Sequence, residues 1–149
     1  MKLVTVIATL IFGLNAFATD TFENLYTVGC DVKLIGLSQE TAEISKVSEA
    51  KRAPDGPSVL FNLGQYTMAA GAQYSGSTAE NMGPRLTAIV FKNGEGPIVG
   101  QVNFSGVNGF EKIQVGESRS LYSANFLDLT YEGKSYTRVD YTCTITRTK

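Results

Sequence analysis

The sequence predicts an all-β domain: a single antiparallel β-sandwich or small closed barrel of about 7–9 strands, with the first and last strands joined by a disulfide. Three observations support this prediction. The two cysteines lie far apart in the chain, each is flanked by alternating apolar and polar residues, and turn signals rich in Gly and Asn recur at short spacings between them.

The first 18 residues are expected to be a signal peptide that is removed on export. Met1-Lys2 supplies a short positive region, LVTVIATLIFGL is an uncharged apolar stretch, and Ala16-Phe17-Ala18 offers small residues at a cleavage site. The apolar stretch is too short to remain as a transmembrane helix. We therefore expect one exported β-domain over residues 19–149, periplasmic or extracellular, that is not an integral membrane protein.

The composition excludes several classes of function. The 13 basic and 14 acidic residues give a net charge of −1, and neither sign clusters, which argues against nucleic-acid binding. The chain has no histidine, so a Ser-His-Asp triad and an imidazole metal site are both excluded. We therefore expect a non-enzymatic domain with no catalytic residues, no metal site and no cofactor.

The two cysteines, Cys30 and Cys143, are predicted to form a structural disulfide. An even cysteine count in an exported protein favours a disulfide, and a separation of 113 residues without histidine does not suit a redox or metal motif. In YTVGCDVKL and TRVDYTCTITR, apolar residues occupy alternate positions, which places both cysteines on the apolar faces of strands. The first and last strands should therefore meet within bridging distance.

Between the cysteines, the pattern predicts further strands separated by turns. The predicted strands are SVLFNL (58–63), QYTMAAGAQY (65–74), RLTAIVFK (85–92), PIVGQVNFSG (97–106), EKIQVG (111–116) and SLYSANFLDLTY (120–131). Asn93-Gly94 predicts a type I′ hairpin turn, and EGKS a turn before the last strand. Segment 38–53 is rich in helix formers and predicts one short helix, with a strand around Ile44 as the alternative.

Three tyrosines are the predicted binding residues. Tyr66 and Tyr74 flank the small-residue stretch TMAAGAQ, and Tyr122 precedes SAN on a later strand. If the three rings share an exposed face, they form a surface for a sugar or a protein; the alternative is ordinary half-buried strand tyrosines. A long uncharged loop predicted within 69–84 is a second candidate, because loops on a rigid β-scaffold often bind partners.

The leading functional hypothesis is a non-enzymatic domain that binds a protein or glycan of the cell envelope or its surroundings. An alternative is an inhibitor of a cell-wall hydrolase or protease. AAGAQY (69–74) resembles the Ser-Gly-x-x-Tyr loop of exported C-type lysozyme inhibitors, with Ala70 in place of the serine and without their downstream lysine element. Over these few residues, the resemblance implies a loop that blocks the cleft of another protein.

A second alternative is a hydrolase that depends on carboxylates, with Asp31, Asp128 and Asp140 as candidates. Asp31 and Asp140 lie on the polar faces of the two cysteine-bearing strands, where they can approach each other or pair with Lys33 and Arg138. A solvated sheet face is a poor place to raise the pKa of a carboxyl group. Ion pairs on a solvated face are therefore favoured over catalysis.

Overall fold

Eight β-strands make up the regular structure of the described chain. The structure is a computed structural model that describes residues 25–51, 56–73, 84–96, 101–106 and 113–149, with only the backbone for 73 and 101–106. The predicted signal peptide lies outside these residues. The strands are β1 (Tyr26–Ile35), β2 (Thr41–Glu49), β3 (Val59–Leu63), β4 (Tyr66–Gln73), β5 (Arg85–Lys92), β6 (Gln101–Gly106), β7 (Ser118–Tyr131) and β8 (Lys134–Arg147).

The strands form two antiparallel sheets that pack face to face in a sandwich-like fold. The strand orders are β2-β1-β8-β7 and β3-β4-β5-β6. Strand β2 lies beside β3, and β7 beside β6, but neither pair is joined by a hydrogen-bonded ladder. These two interruptions among the described strands mean that the sheets do not close into a barrel. The prediction of an all-β fold is confirmed, and its closed-barrel alternative is wrong.

The first and last strands meet as predicted. Cys30 and Cys143 are direct partners in the β1–β8 ladder, with their Cα atoms 4.1 Å apart and a disulfide between them. Both cysteines are buried, so the bond lies on the inner side of the sheet. The predicted disulfide is confirmed.

The core lies between the two sheets. Alternate residues of each strand point inward, as the period-two pattern requires. The inward residues of the first sheet include Val28, Val32, Leu34, Val139, Tyr141 and Ile145; those of the second include Phe61, Leu63, Met68, Leu86, Ala88 and Val90. Burial of this apolar surface is the main favourable contribution to folding.

Segment 38–53 contains strand β2 rather than the predicted helix. A turn joins β1 to β2, with Gln39 at a φ of 64° and the Gly36 amide donating to the Glu40 carbonyl at 2.8 Å. In the ladder, Ile44 lies opposite Val32, and its half-buried side chain packs against the core. Helix propensities differ by only a few tenths of a kcal/mol per residue, so pairing with β1 outweighs them. The helix prediction is wrong, and its alternative, a strand around Ile44, is confirmed.

The two predicted turns differ in their outcome. Glu132 and Gly133 have φ angles of 49° and 76°, which makes the β7–β8 connection a two-residue type I′ hairpin. Gly94 has a φ of 84°, but the φ of Asn93 is not positive, so the predicted type I′ turn does not form there. The Asn93 side chain instead donates to the Gly64 carbonyl at 2.8 Å and ties the end of β5 to the neighbouring β3–β4 turn.

The β3–β4 turn packs against the far end of β7, an edge strand of the other sheet. Gly64 has a φ of 65°, and a Cβ atom there would overlap the carbonyl oxygen of Thr130. The Gln65 side-chain amide donates to the Asp128 carbonyl at 2.8 Å and accepts from the Thr130 amide at 3.1 Å. Gln65 therefore satisfies the exposed backbone of this edge as a neighbouring strand would.

Candidate functional site

The outward side of sheet β2-β1-β8-β7 is polar and carries exposed aromatic rings; we call it the polar face. The register of the ladders arranges its side chains in rows that cross all four strands. Three successive rows are Ser45, Asp31, Thr142 and Tyr122; then Glu43, Lys33, Asp140 and Ala124; then Thr41, Ile35, Arg138 and Phe126.

Arg138 is the centre of a side-chain network on this face. Its Nε and Nη2 atoms donate to the two carboxylate oxygens of Asp140 at 2.6 and 2.8 Å. The Tyr122 hydroxyl donates to Asp140 at 3.2 Å and accepts from Arg138 Nη2 at 3.4 Å. The guanidinium group also lies 5.4 Å from the centre of the Phe126 ring. The hydrogen bonds to Asp140 and Tyr122 raise the pKa of Arg138 above its ordinary value, so it remains a cation.

A shallow pocket of about 340 Å³ lies beside this network. It is lined by Ser45 and Asp31 on one side and by Tyr122 on the other, and Thr142 lies between them in the same row. Lys33, Glu43 and Asp140 close it along the next row. The pocket therefore lies beside Tyr122, the one large side chain in a row of small ones. We call it the Tyr122 pocket.

The charges around the Tyr122 pocket are unequally paired. Lys33 forms an ion pair with Glu43 at 3.3 Å, and Arg138 forms one with Asp140. Asp31 accepts a hydrogen bond of 2.6 Å from the Ser45 hydroxyl. Within the described part of the chain, no lysine or arginine lies within ion-pair distance of Asp31. Asp31 is therefore the one negative charge of the pocket without a cationic partner there.

Two of the three predicted binding tyrosines, Tyr66 and Tyr122, do not share a face. Tyr66, at the start of β4, is half-buried and packs against the core, whereas Tyr122 stands on the polar face of the other sheet. Tyr74 lies outside the described residues.

The loop predicted within 69–84 overlaps strand β4. Residues 69–73 complete β4, and Ala70 and Ala72 are buried in the core. Residues 74–83 lie outside the described residues. The structure thus corrects what the resemblance implied for AAGAQY: five of its six positions belong to a central strand and cannot act as an inserting loop.

The candidate carboxylates separate into two regions. Asp31 and Asp140 lie in adjacent rows of the polar face, whereas Asp128 lies farther along β7, within the irregularity of the β7–β8 ladder between Phe126 and Leu129. Arg138 pairs with Asp140 as the sequence suggested, but Lys33 pairs with Glu43. Both oxygens of Asp140 accept hydrogen bonds, Oδ1 from Arg138 and Oδ2 from Arg138 and Tyr122, so this carboxylate serves as an ion-pair partner.

Phe126 is the main residue of the site that the sequence analysis missed. It has the same parity as Tyr122 and Ala124 on β7, so the alternation of SLYSANF places it on the same side of the strand. Its exposed fraction is 79 %, against 62 % for Tyr122. An apolar residue that shares the polar side of a strand was the signal for it.

Two further features, a metal-binding group and a membrane-spanning helix, are absent from the described residues. These residues contain no group of three or more Cys, Asp or Glu side chains arranged to hold a metal ion. No helix within them is long and apolar enough to cross a membrane.

Comparison with known proteins reveals no relative. No family model matches the chain, and no curated protein or solved structure matches it significantly. Function must therefore be inferred from the site itself.

Proposed function

We propose that this protein is an exported, non-catalytic binding module that engages a protein partner through the polar face. The observation that carries the proposal is the pair of exposed rings, Tyr122 and Phe126, on either side of the fixed Arg138–Asp140 ion pair. Tyr, Phe and Arg are enriched in protein–protein interfaces, and Tyr and Arg are common among the residues that dominate binding energy. Export is supported by the disulfide, because such bonds persist in oxidising compartments.

The network prepares the polar face for binding before a partner arrives. Arg138 is held by Asp140, Tyr122 and Phe126 at once, so its long side chain has already lost much of its rotamer freedom. Ordering a flexible side chain at an interface costs about 0.5–1.5 kcal/mol. A face whose arginine is already ordered avoids part of that cost.

The size of the face favours a protein over a small ligand. Four strands about 4.8 Å apart, with roughly ten residues each at about 3.4 Å per residue, present a face of about 600 Å². This area approaches the approximately 800 Å² that each partner contributes to a standard protein interface. The shallow Tyr122 pocket forms only part of this surface.

The test is affinity capture followed by measurement on a purified pair. The chain is produced with its leader in an exporting host, so that the disulfide forms, and is used to capture partners from envelope extract of its source. For the partner identified by mass spectrometry, we expect the Tyr122→Ala/Phe126→Ala variant to bind at least about tenfold more weakly, since two interface aromatics are lost.

Leu60→Ala and Val115→Ala are matched controls. Both residues are exposed and apolar, but Leu60 lies on β3 of the other sheet and Val115 in the turn before β7. They should bind the partner as the unmodified protein does. Unchanged affinity in the Tyr122→Ala/Phe126→Ala variant would refute the polar face as the binding surface. If the partner is a hydrolase, stoichiometric loss of its activity would make this protein an inhibitor.

A further inference from the structure

The Tyr122 pocket combines a carboxylate that lacks a cationic partner with an exposed aromatic wall. Asp31 Oδ1 is held by the Ser45 hydroxyl, and no cation of the described chain reaches this carboxylate. Tyr122 stands two strands away in the same row, with Thr142 between them. Its hydroxyl bonds to Asp140, which fixes the ring while 62 % of the residue remains exposed.

The distance between the two walls suits a flat cationic group. Two strand spacings separate the backbones of Asp31 and Tyr122 by about 9–10 Å. The Thr142 side chain is too short to fill this space, and the resulting pocket is open to solvent. The charge is also complementary to a cation, because the other carboxylates of the pocket, Glu43 and Asp140, already have lysine and arginine partners.

We infer that the Tyr122 pocket receives an arginine side chain of the protein partner, whose guanidinium group pairs with Asp31 and stacks on the Tyr122 ring. This inference rests on the proposed function and names the chemistry of its partner. Arginine suits the site better than lysine, because its planar fork matches a carboxylate, it stacks on aromatic rings, and it is more weakly hydrated than an ammonium group. Arg138 and Phe126 show the same pairing within this protein.

The test uses short peptides rather than the unknown partner. The ¹⁵N-labelled protein is titrated with acetyl-Ala-Arg-Ala-amide and with the same peptide carrying citrulline, a neutral analogue of the same shape. We expect the arginine peptide to give saturable amide shifts centred on Asp31, Thr142 and Tyr122, with a dissociation constant on the order of 1 mM, as for a single weak contact. The citrulline peptide should bind about fivefold more weakly, because it lacks the charge that pairs with Asp31.

Two protein variants assign the effect to the pocket. Asp31→Asn keeps the shape of the side chain and removes its charge, so it should weaken the arginine peptide about fivefold. Asp128→Asn removes an exposed carboxylate elsewhere on β7 and should change the affinity less than about twofold. Equal binding of the citrulline peptide, or an unchanged affinity in Asp31→Asn, would overturn the arginine assignment.

A neutral oligosaccharide, chitotetraose, serves as a third ligand. Saturable shifts at the same residues with chitotetraose, but not with the arginine peptide, would identify a glycan rather than an arginine side chain as the ligand of the pocket. That result would overturn the inference. The capture experiment tests the proposed function separately. If Tyr122→Ala/Phe126→Ala loses the partner and the arginine peptide does not bind, the polar face remains the binding surface and only the arginine assignment is rejected.

Discussion

The two sides of sheet β2-β1-β8-β7 differ in what holds their side chains. On the inner side of β1, Val28, Cys30, Val32 and Leu34 are all buried and belong to one core. On the outer side, the same strand and its neighbours present hydroxyls, ion pairs and two exposed rings. One side is fixed by packing across to the second sheet, and the other by contacts between neighbouring rows.

This difference separates stability from recognition within a single sheet. Core residues contribute the transfer free energy of their buried surface, so their loss destabilises the fold strongly. Exposed ion pairs contribute little, since water screens them and long side chains lose entropy. Substitutions of the outer residues can therefore adapt this face to a partner at small cost to the stability of the fold.

The largest effect is expected from the disulfide on the inner side. Replacing both Cys30 and Cys143 by Ala should lower the free energy of unfolding by about 4 kcal/mol, because the bond closes a loop of more than one hundred residues in the unfolded chain. Urea unfolding of the double variant measures the change. The unmodified protein under reducing conditions is the control and should lose a similar amount. A loss below about 1 kcal/mol would show that packing alone holds the chain ends together.

A matched pair of leucines in one hairpin compares the core with solvent. Leu34→Ala removes a fully buried side chain of β1 and should cost about 3 kcal/mol. Leu37→Ala, three residues later, changes a turn residue that is 88 % exposed and should alter stability by less than about 0.5 kcal/mol. Both are measured by urea unfolding. Equal losses of unfolding free energy would contradict the burial of Leu34 and the exposure of Leu37.

Two glycines test the contact between the β3–β4 turn and β7. Gly64→Ala should cost about 2 kcal/mol, because the residue has a positive φ and the new Cβ overlaps the Thr130 carbonyl oxygen. Gly94→Ala shares the positive φ but meets no atom within 4 Å, so it should cost about 1 kcal/mol. Thermal or urea unfolding gives both values. Equal losses of unfolding free energy in the two variants would show that the β3–β4 turn does not contact β7 as closely as described.

The architecture was accessible from the sequence where alternation was regular. Around Cys30 and Cys143 the period of two correctly identified the strands, their inward faces and the disulfide. Segment 38–53 was harder, because its Glu, Ala and Lys residues favour a helix locally while pairing with β1 determines the result. The sequence also could not show whether the sheets close into a barrel. No sequence pattern reveals that β2 and β3 lie side by side without a hydrogen-bonded ladder.

The site was only partly predictable. The sequence identified Tyr122 and the charged residues near Asp31 and Asp140. The alternation of residues along a strand, however, does not say which strands are neighbours. The rows that create the Tyr122 pocket depend on the registers of three ladders. Tyr66 is an example: it lies at the start of β4, in the other sheet from Tyr122, and its half-buried side chain packs against the core.

The smallest effect is expected from the outer ion pair between Lys33 and Glu43. Its two side chains are 48 % and 71 % exposed, so Lys33→Glu should reduce stability by only about 0.5 kcal/mol. The double exchange Lys33→Glu/Glu43→Lys should restore only part of the lost stability, because it rebuilds an opposite pair with β2 but leaves a glutamate directly opposite Asp140 on β8. Urea unfolding at low salt and at 1 M salt measures both, and salt should remove most of the difference.

This last experiment can also break the comparison between the two sides. A loss above about 2 kcal/mol in Lys33→Glu would mean that the outer side is held as firmly as the core. The polar face would then be a structural element that cannot be varied independently for a partner. A small, salt-sensitive loss combined with unchanged folding instead leaves the outer residues free to serve binding, which is the condition that a dedicated recognition face requires.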